Sequence, residues 1–395
     1  MVLKEKSRRK ARRTNGRGPL SPTTYLARNL GKTGPLIGVV TLAVMLIAGI
    51  VSVMNSIPLS IRTIYLYSSQ SLGISPRGDP AMVPRLRRMI EEGSPVPIGR
   101  VIICRAVSAN VSSIVGKWPF VVLGMTQEDM RYYLRRMNAG AIEGRLPDPA
   151  MPEALISEPV AKNLKLRIGA VLLQPDVQER YSPFPVKVVG IAKTSDWLML
   201  GDIDYQRLNH FPAVDNLLVF AADPRQQEDF DRWAVDRLKG ERAHVFAYHK
   251  LEKETSEMFG ILYKVLNVVI GTLVLVITIM MAMLMNIYQS QRLVEFGLLQ
   301  AIGYTRRWLV GRVLRETTIV LLGGWVIGVF MAILLLWGVK ATLMDPNAFA
   351  LDPLDPVAYA YTIPVPIAVL LAATMTVFLR FKRFDPVAVV ERRLV

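Results

Sequence analysis

Gln291-Arg292-Leu293-Val294-Glu295-Phe296-Gly297-Leu298-Leu299-Gln300-Ala301-Ile302-Gly303-Tyr304-Thr305-Arg306-Arg307 is the stretch on which the reading of this chain turns. At about 100° per residue, a helix here puts Leu293, Val294, Gly297, Leu298 and Ala301 on one side and Arg292 and Glu295 on the other. Such a helix lies in a membrane interface. Gly303 tolerates the left-handed backbone of a helix end, and Arg306, Arg307, Arg312 and Arg315 hold the next residues at an anionic membrane face. A polar-edged helix of this kind between two apolar runs is where a soluble partner can push on a membrane protein.

On either side of it the chain is apolar. Half of the 395 residues are hydrophobic (51%), and they are clustered rather than spread. Four runs reach the roughly 20 residues needed to cross a bilayer: Pro35 to Met54, Val265 to Tyr288, Thr317 to Val339 and Thr362 to Leu379. The first comes after an N-terminal region too long for a secretory leader, which reads as an uncleaved signal anchor. Between the first and second runs lies a mixed segment of about 200 residues, enough for a domain of its own.

The formal charge of +16 is concentrated beside the apolar runs. Lysines and arginines crowd residues 1–32, the segment from 289 to 316 and the last sixteen residues, whereas the short loop after the third run sets Lys340 against Asp345, Asp352 and Asp355. Basic loops stay inside. Both termini and the 289–316 segment are therefore expected in the cytoplasm, and the large segment outside it. The basic N-terminus has no interleaved aromatic residues, so it sets topology rather than binding nucleic acid. Cys104 is alone, and the outer domain is left without an intramolecular disulfide.

Within 55–256, strand-like runs occur at Arg100 to Val107, Phe120 to Leu123, Ala154 to Ser157, Val186 to Ile191 and Leu217 to Ala221. Helix-like runs occur at Pro80 to Glu92, Gln127 to Met137, Val160 to Leu164 and Gln226 to Leu238. This mixture implies an α+β domain. Trp197, Met199, Leu200 and Tyr205 are read as core, with an exposed partner patch as the alternative. From His249 to Tyr288 there is no proline, so one helix can leave the domain and continue as the second span. Gly324 and Gly328, four apart in the third span, would admit a closely packed helix; Pro364 and Pro366 should uncouple the first turn of the fourth.

Arg292, Glu295, Gly297, Ala301 and Gly303 resemble the Arg-x-x-Glu-aliphatic-Gly-x-x-(Arg/Lys)-Ala-x-Gly pattern of the FtsX-like permeases of ABC transporters, the MacB and LolC/LolE group. The chain departs from it at Gln300, where a base is common, and at Tyr304, where a small residue is usual. Gly144-Arg145-Leu146-Pro147, Glu153 to Ser157, Val160-Ala161, Ile168-Gly169 and Val188 to Ile191 are similar, in order, to motifs of the MacB-type periplasmic domain. Thr23 to Leu30 resembles the amphipathic helix before the family's first span, and Arg383 to Ala388 its closing tail.

The resemblance implies four transmembrane helices plus an α+β extracytoplasmic domain of the MacB-like periplasmic core type. The expected organisation is a basic tail (1–22), amphipathic helix and first span (23–54), outer domain (55–256), stalk and second span (257–288), coupling segment (289–316), third span (317–339), short outer loop (340–361), fourth span (362–379) and cytoplasmic tail (380–395). It also implies a multi-pass protein of the bacterial inner membrane that relays ATP-driven motion outward, for export, lipoprotein handling or control of an envelope enzyme. Arg292, Glu295, Phe296, Gly297, Ala301, Gly303, Arg306 and Arg307 would meet the partner ATPase. Partners would be an ABC ATPase dimer, which binds the ATP and Mg that this chain does not, a second permease copy, a periplasmic adaptor and membrane lipid. The other class of reading is an anchored sensor or scaffold with no ATPase.

Catalytic patterns are missing from the residues themselves. There is no Walker A loop, since Gly31-Lys32-Thr33 has Leu26 where the leading glycine belongs, and no Gly-x-Ser-x-Gly elbow. His210, His244 and His249 have no companions at ligand spacing, so neither a metal nor a catalytic site is expected. No ionisable residue but Lys264, at an edge, is assigned to the spans, which argues against a proton-driven carrier.

Overall fold

The computed structural model describes residues 28–382. The basic tail, most of the amphipathic stretch and the closing Arg383 to Ala388 motif lie outside the described residues. In chain order the elements are α1 (Leu30–Tyr65), β1 (Leu72–Ser75), α2 (Met82–Gly93), β2 (Ile98–Ser108), β3 (Val111–Ser113), β4 (Gly116–Trp118), β5 (Val121–Met125), α3 (Gln127–Arg136), β6 (Ile142–Gly144), β7 (Glu153–Ser157) and α4 (Glu158–Leu164). Next come β8 (Val171–Leu173), β9 (Val186–Ala192), β10 (Met199–Asp202), α5 (Ile203–Leu208), β11 (Asn216–Ala221), α6 (Gln227–Arg237), β12 (His244–Phe246), α7 (Tyr248–Ser290), α8 (Leu293–Ala301), α9 (Arg306–Val339), α10 (Pro356–Ala360) and α11 (Pro364–Lys382). They form two compact units, one of 54–262 with 339–352, the other of the remaining chain.

The first unit is the α/β domain. β1–α2–β2 and β11–α6–β12 form an antiparallel sheet in the order β12-β1-β11-β2, the split βαβ arrangement. Strand alternation decides which face α2 and α6 cover: Leu72, Ile74, Leu217 and Val219 pack against Leu86, Ile90, Phe230 and Ala234. Everything from 109 to 215 is inserted between β2 and β11. β2 is long enough to serve both halves, pairing with β11 from Ile98 to Cys104 and with β5 from Arg105 to Ser108. Beyond β5 the sheet continues β10-β7-β9-β6, with parallel pairs β5/β10 and β7/β9 among antiparallel ones.

α3 shows how local sequence builds the insert. Thr126 caps it, accepting from the Asp129 amide at 3.2 Å, and acidic residues occupy its first turn and basic ones its last. Met130, Tyr133, Leu134 and Met137, at helical spacing, then bury one face on the sheet beneath. The Gly144 and Gly190 motifs close a corner. Gly144 has φ +88, and a Cβ on Gly190 would stand 2.3 Å from the Arg145 carbonyl oxygen, so paired β6 and β9 pass closer than any side chain allows. Arg145 forks onto the Glu153 carboxylate, which also accepts from the Asp148 amide at 2.9 Å. Trp197, Met199 and Leu200 are core, 2% exposed or less, and the last two lie in strand β10, too short to be seen in the sequence.

The loop after α9 packs on the α/β domain. Residues 339–352 belong to the α/β unit. Asn163 donates from Nδ2 to the Asn347 carbonyl at 2.8 Å and to the Ser112 carbonyl at 3.0 Å, while its Oδ1 accepts from the Ser112 amide at 2.8 Å. Ser60 and Ala350 exchange hydrogen bonds in both directions, at 3.2 and 3.0 Å.

Four helices are long and apolar enough to cross a membrane, Thr33–Ser69, Tyr248–Ser290, Arg306–Asn347 and Pro356–Leu379 in outline, and most of their apolar length makes up the second unit. α7 runs unbroken for 43 residues. Gly324 and Gly328 lie against α1: a Cβ on either would stand 2.9 or 2.8 Å from Val40 Cβ or Val44 Cβ. The close approach lets the Thr41 hydroxyl donate to the Gly324 carbonyl at 3.1 Å. On the other side of α9, Trp325 Nε1 donates to Thr362 Oγ1 at 2.9 Å. Pro364 opens α11, where its missing N–H costs nothing, after the turn at 361–363.

Candidate functional site

Between α7 and α9, the short helix α8 folds back under a knot of four charges. Arg292 stands at its N-cap and is 3% exposed. Its Nε donates to Glu295 Oε2 at 3.0 Å and its Nη1 to Glu316 Oε2 at 2.6 Å, with a further bond to the Tyr288 hydroxyl at 3.3 Å. Arg312 Nε donates to Glu316 Oε1 at 3.1 Å and its Nη2 reaches Glu295 Oε1 at 3.5 Å. Two guanidinium groups and two carboxylates thus alternate, with no net charge. The aromatic rings of Phe296 and Tyr288 lie 5.0 and 5.4 Å from the Arg292 guanidinium, and that of Trp308 lies 5.8 Å from Arg312. Burial by itself would lower the Arg292 pKa, but bonds to Glu295 and Glu316 outweigh it and hold the group above its ordinary value.

Burying an unpaired guanidinium would cost several kcal/mol, so this set must stay together. The consequence is mechanical. Tyr288 on α7, Arg292 and Glu295 on α8, and Arg312 and Glu316 on α9 are tied into one piece. Phe296 and Leu299 of α8 complete the joint by packing on Leu309 and Val313 of α9 and Val377 of α11. The helix ends as its glycine demands: Gly303 has φ +100 and the Tyr304 amide donates back to the Leu299 carbonyl at 3.1 Å.

Several expected roles change here. Arg292 does not face outward; it points into the joint, because Glu316 offers a carboxylate there. Phe296 and Gly297 are buried as well. Arg312, expected at the membrane surface, is 2% exposed and paired. Glu316 escapes the reading of the sequence altogether, and with Arg312 it places buried ionisable groups in the helix that carries the third span, where none was expected. Its one signal is the i,i+4 pair Arg312-x-x-x-Glu316 at the threshold of an apolar run. The residues that do face outward are Val294, Leu298 and Ile302, 39%, 58% and 69% exposed, together with Ala301, Gly303, Arg306 and Arg307.

Among the described residues no group of histidine, cysteine and carboxylate side chains could hold a metal. Four membrane-length helices, an α/β domain inserted between the first two and a buried charged joint between the second and third define a polytopic membrane protein. Residues 267–386 match the FtsX-like permease C-terminal family. That segment is similar to the C-terminal domain of the FtsX-like permeases. Among solved structures, the periplasmic region of MacB from Actinobacillus actinomycetemcomitans is similar over 49% of this chain and 94% of its own, at 10% identity and a TM-score of 0.28. The extracellular domain of the noncanonic ABC-type transporter YknZ from Gram-positive bacteria is similar over 45% of this chain and 99% of its own, at 15% identity and a TM-score of 0.26. No curated protein sequence is a significant match.

Proposed function

We propose that this chain is the non-catalytic permease subunit of a bacterial ABC transporter of the mechanotransmission type. A separate ATPase dimer, holding ATP and Mg, presses on the 289–316 segment of two permease copies in the inner membrane. The α/β domain, outside, delivers the motion to export, lipoprotein handling or an envelope enzyme, with an adaptor as a further partner. Both termini are cytoplasmic in this reading.

The observation that carries it is the buried joint. A helix that receives force must be rigid with what it drives, and Arg292, Glu295, Arg312 and Glu316 lock α8 to the start of α9 as well as to the end of α7. The push therefore enters the third span along with the second. Each continues into the α/β unit, α7 by its unbroken length and α9 by the 339–352 loop that Asn163 and Ser60 hold. The exposed edge of Leu298, Ile302, Arg306 and Arg307 is what the ATPase meets.

The test separates contact from transmission. Leu298→Asp with Ile302→Asp should abolish co-purification of an ABC ATPase from the native host. Glu316→Gln should leave co-purification intact while removing permease stimulation of ATP hydrolysis. Survival of both contact and stimulation in the first variant refutes the assigned edge; absence of any co-purifying ATPase with the wild-type chain favours the anchored scaffold instead.

A further inference from the structure

The α/β domain contains a cavity of about 350 Å³ that the relay does not use. It lies on the face of the split βαβ sheet opposite α2 and α6. The register shows how it arises. Gly73 pairs with Leu218 and with Phe246, so Ser71, Gly73 and Ser75 share the face on which α3 packs against β2, β5 and β11. On the other face the same strand carries Leu72 and Ile74, both fully buried. β1 is thus bulky where it meets helices and small where it floors the cavity, and Ala106 and Ser108 of β2 extend that floor. Tyr65, Tyr67, Phe120 and Phe246 wall it, Tyr67 standing edge-on to Phe120 with centroids 5.3 Å apart.

Two features of the lining bear on an occupant. None of its residues is charged, in a chain with 48 basic and 32 acidic residues. An ion would enter this space without a counter-charge, so the occupant is neutral. Hydroxyl groups are plentiful, and one of them, Ser71 Oγ, is buried with no hydrogen-bond partner among the described residues. Buried hydroxyls are ordinarily paired, so one left single in a cavity lining marks a place for a bonding group from outside. The volume is more than twice the roughly 150 Å³ of a dry cavity that takes up benzene, which sets the size at about two or three fused or linked rings. It also falls within the range of small-molecule sites.

We propose that this cavity binds a neutral, compact, ring-containing hydrophobic molecule that carries a hydrogen-bonding group such as a carbonyl, hydroxyl or arylamine. The site belongs to one copy of the chain and needs neither the ATPase nor the joint at α8.

The test uses the full chain in phosphatidylcholine nanodiscs and the neutral probe N-phenyl-1-naphthylamine, whose fluorescence rises in apolar surroundings. Above the linear uptake of empty nanodiscs, a saturable component of one probe per chain is expected. 2-Acetylnaphthalene should displace it, and 1-dodecanol at equal concentration should not. Ala106→Phe fills the floor and should weaken the saturable component at least tenfold; Ser75→Leu, from the opposite side, makes the same point if Ala106→Phe does not fold by circular dichroism. Ser71→Ala keeps the space and should weaken binding about threefold to tenfold. Uptake no greater than in empty nanodiscs overturns the proposal, as does saturable binding that a folded cavity-filling variant leaves unchanged. Displacement by dodecanol alone overturns the ring-containing class.

Discussion

Glu316→Gln is the sharpest test of the joint. The wild-type carboxylate accepts from Arg292 at 2.6 Å and from Arg312 at 3.1 Å, and all three side chains are 3% exposed. The substitution leaves two buried guanidinium groups sharing Glu295, so the set passes from neutral to one net positive charge. Removing one partner of a buried ion pair costs about 3–5 kcal/mol. Because α8 is held to α9 mainly here, that cost should fall on local opening of α8 rather than on the α/β domain. At 1.4 kcal/mol per factor of ten, amide exchange across 293–301 should accelerate about 100- to 4,000-fold. Hydrogen–deuterium exchange of the full chain in nanodiscs reads this directly, with peptides from α6 as the unaffected reference. Replacing Arg292 and Glu316 together by methionine removes a buried charge of each sign and should return most of the lost protection. Exchange of α8 within threefold of wild type in folded Glu316→Gln would refute the joint.

Three further outcomes rest on the packing and charge. Gly328→Ala should lower the thermal midpoint of the full chain in nanodiscs by forcing α1 away from α9, since its Cβ would stand 2.8 Å from Val44 Cβ and 3.0 Å from the Thr41 carbonyl oxygen; overpacking of this kind costs about 1–3 kcal/mol, and an unchanged midpoint would refute the close approach. Asn163→Ala removes one hydrogen bond from α4 to the 339–352 loop, at Asn347, and two from α4 to Ser112 of β3, so exchange of 343–350 should rise about fivefold, at about 1 kcal/mol for the bond lost from the loop. Asp231 is buried, and desolvation raises its pKa from 3.8 to about 7 against the lowering effect of the Gln227 bond. The folded state therefore holds this proton more tightly than the unfolded one, and stability is lost as pH rises from about 4 through 7. Asp231→Asn should be stabilising relative to wild type in denaturant unfolding at pH 8 and close to neutral at pH 4; an equal effect at both would contradict the assignment.

The large periods were legible in the residues. Runs of 20 apolar residues can only be satisfied by helices that pair their own backbone groups in lipid, and all four are helices here. The long strands β2, β7, β9 and β11 and the helices α2, α3, α4 and α6 likewise announced themselves, because each buries one face and repeats every 2 or 3.6 residues. Three-residue strands such as β6, β8 and β12 carry too few residues to show a period, so only pairing with β9 or β1 defines them.

At the site the division is finer. Local sequence determined that 293–301 is a helix, that Gly303 ends it and that Gly324 and Gly328 make a flat surface, since these depend on backbone propensity and on side-chain size. It could not say which way Arg292 points. An exposed i,i+3 pair with Glu295 and a buried one have the same sequence, and the choice falls to Glu316, 24 residues away and brought near only when α8 folds back on α9. The cavity is of the same kind: Gly73 and Ser75 make β1 look like a weak strand until the register sets Gly73 between Phe246 and Leu218. Contacts between residues distant in sequence depend on where the chain is brought back on itself, and that is settled by the whole packed structure.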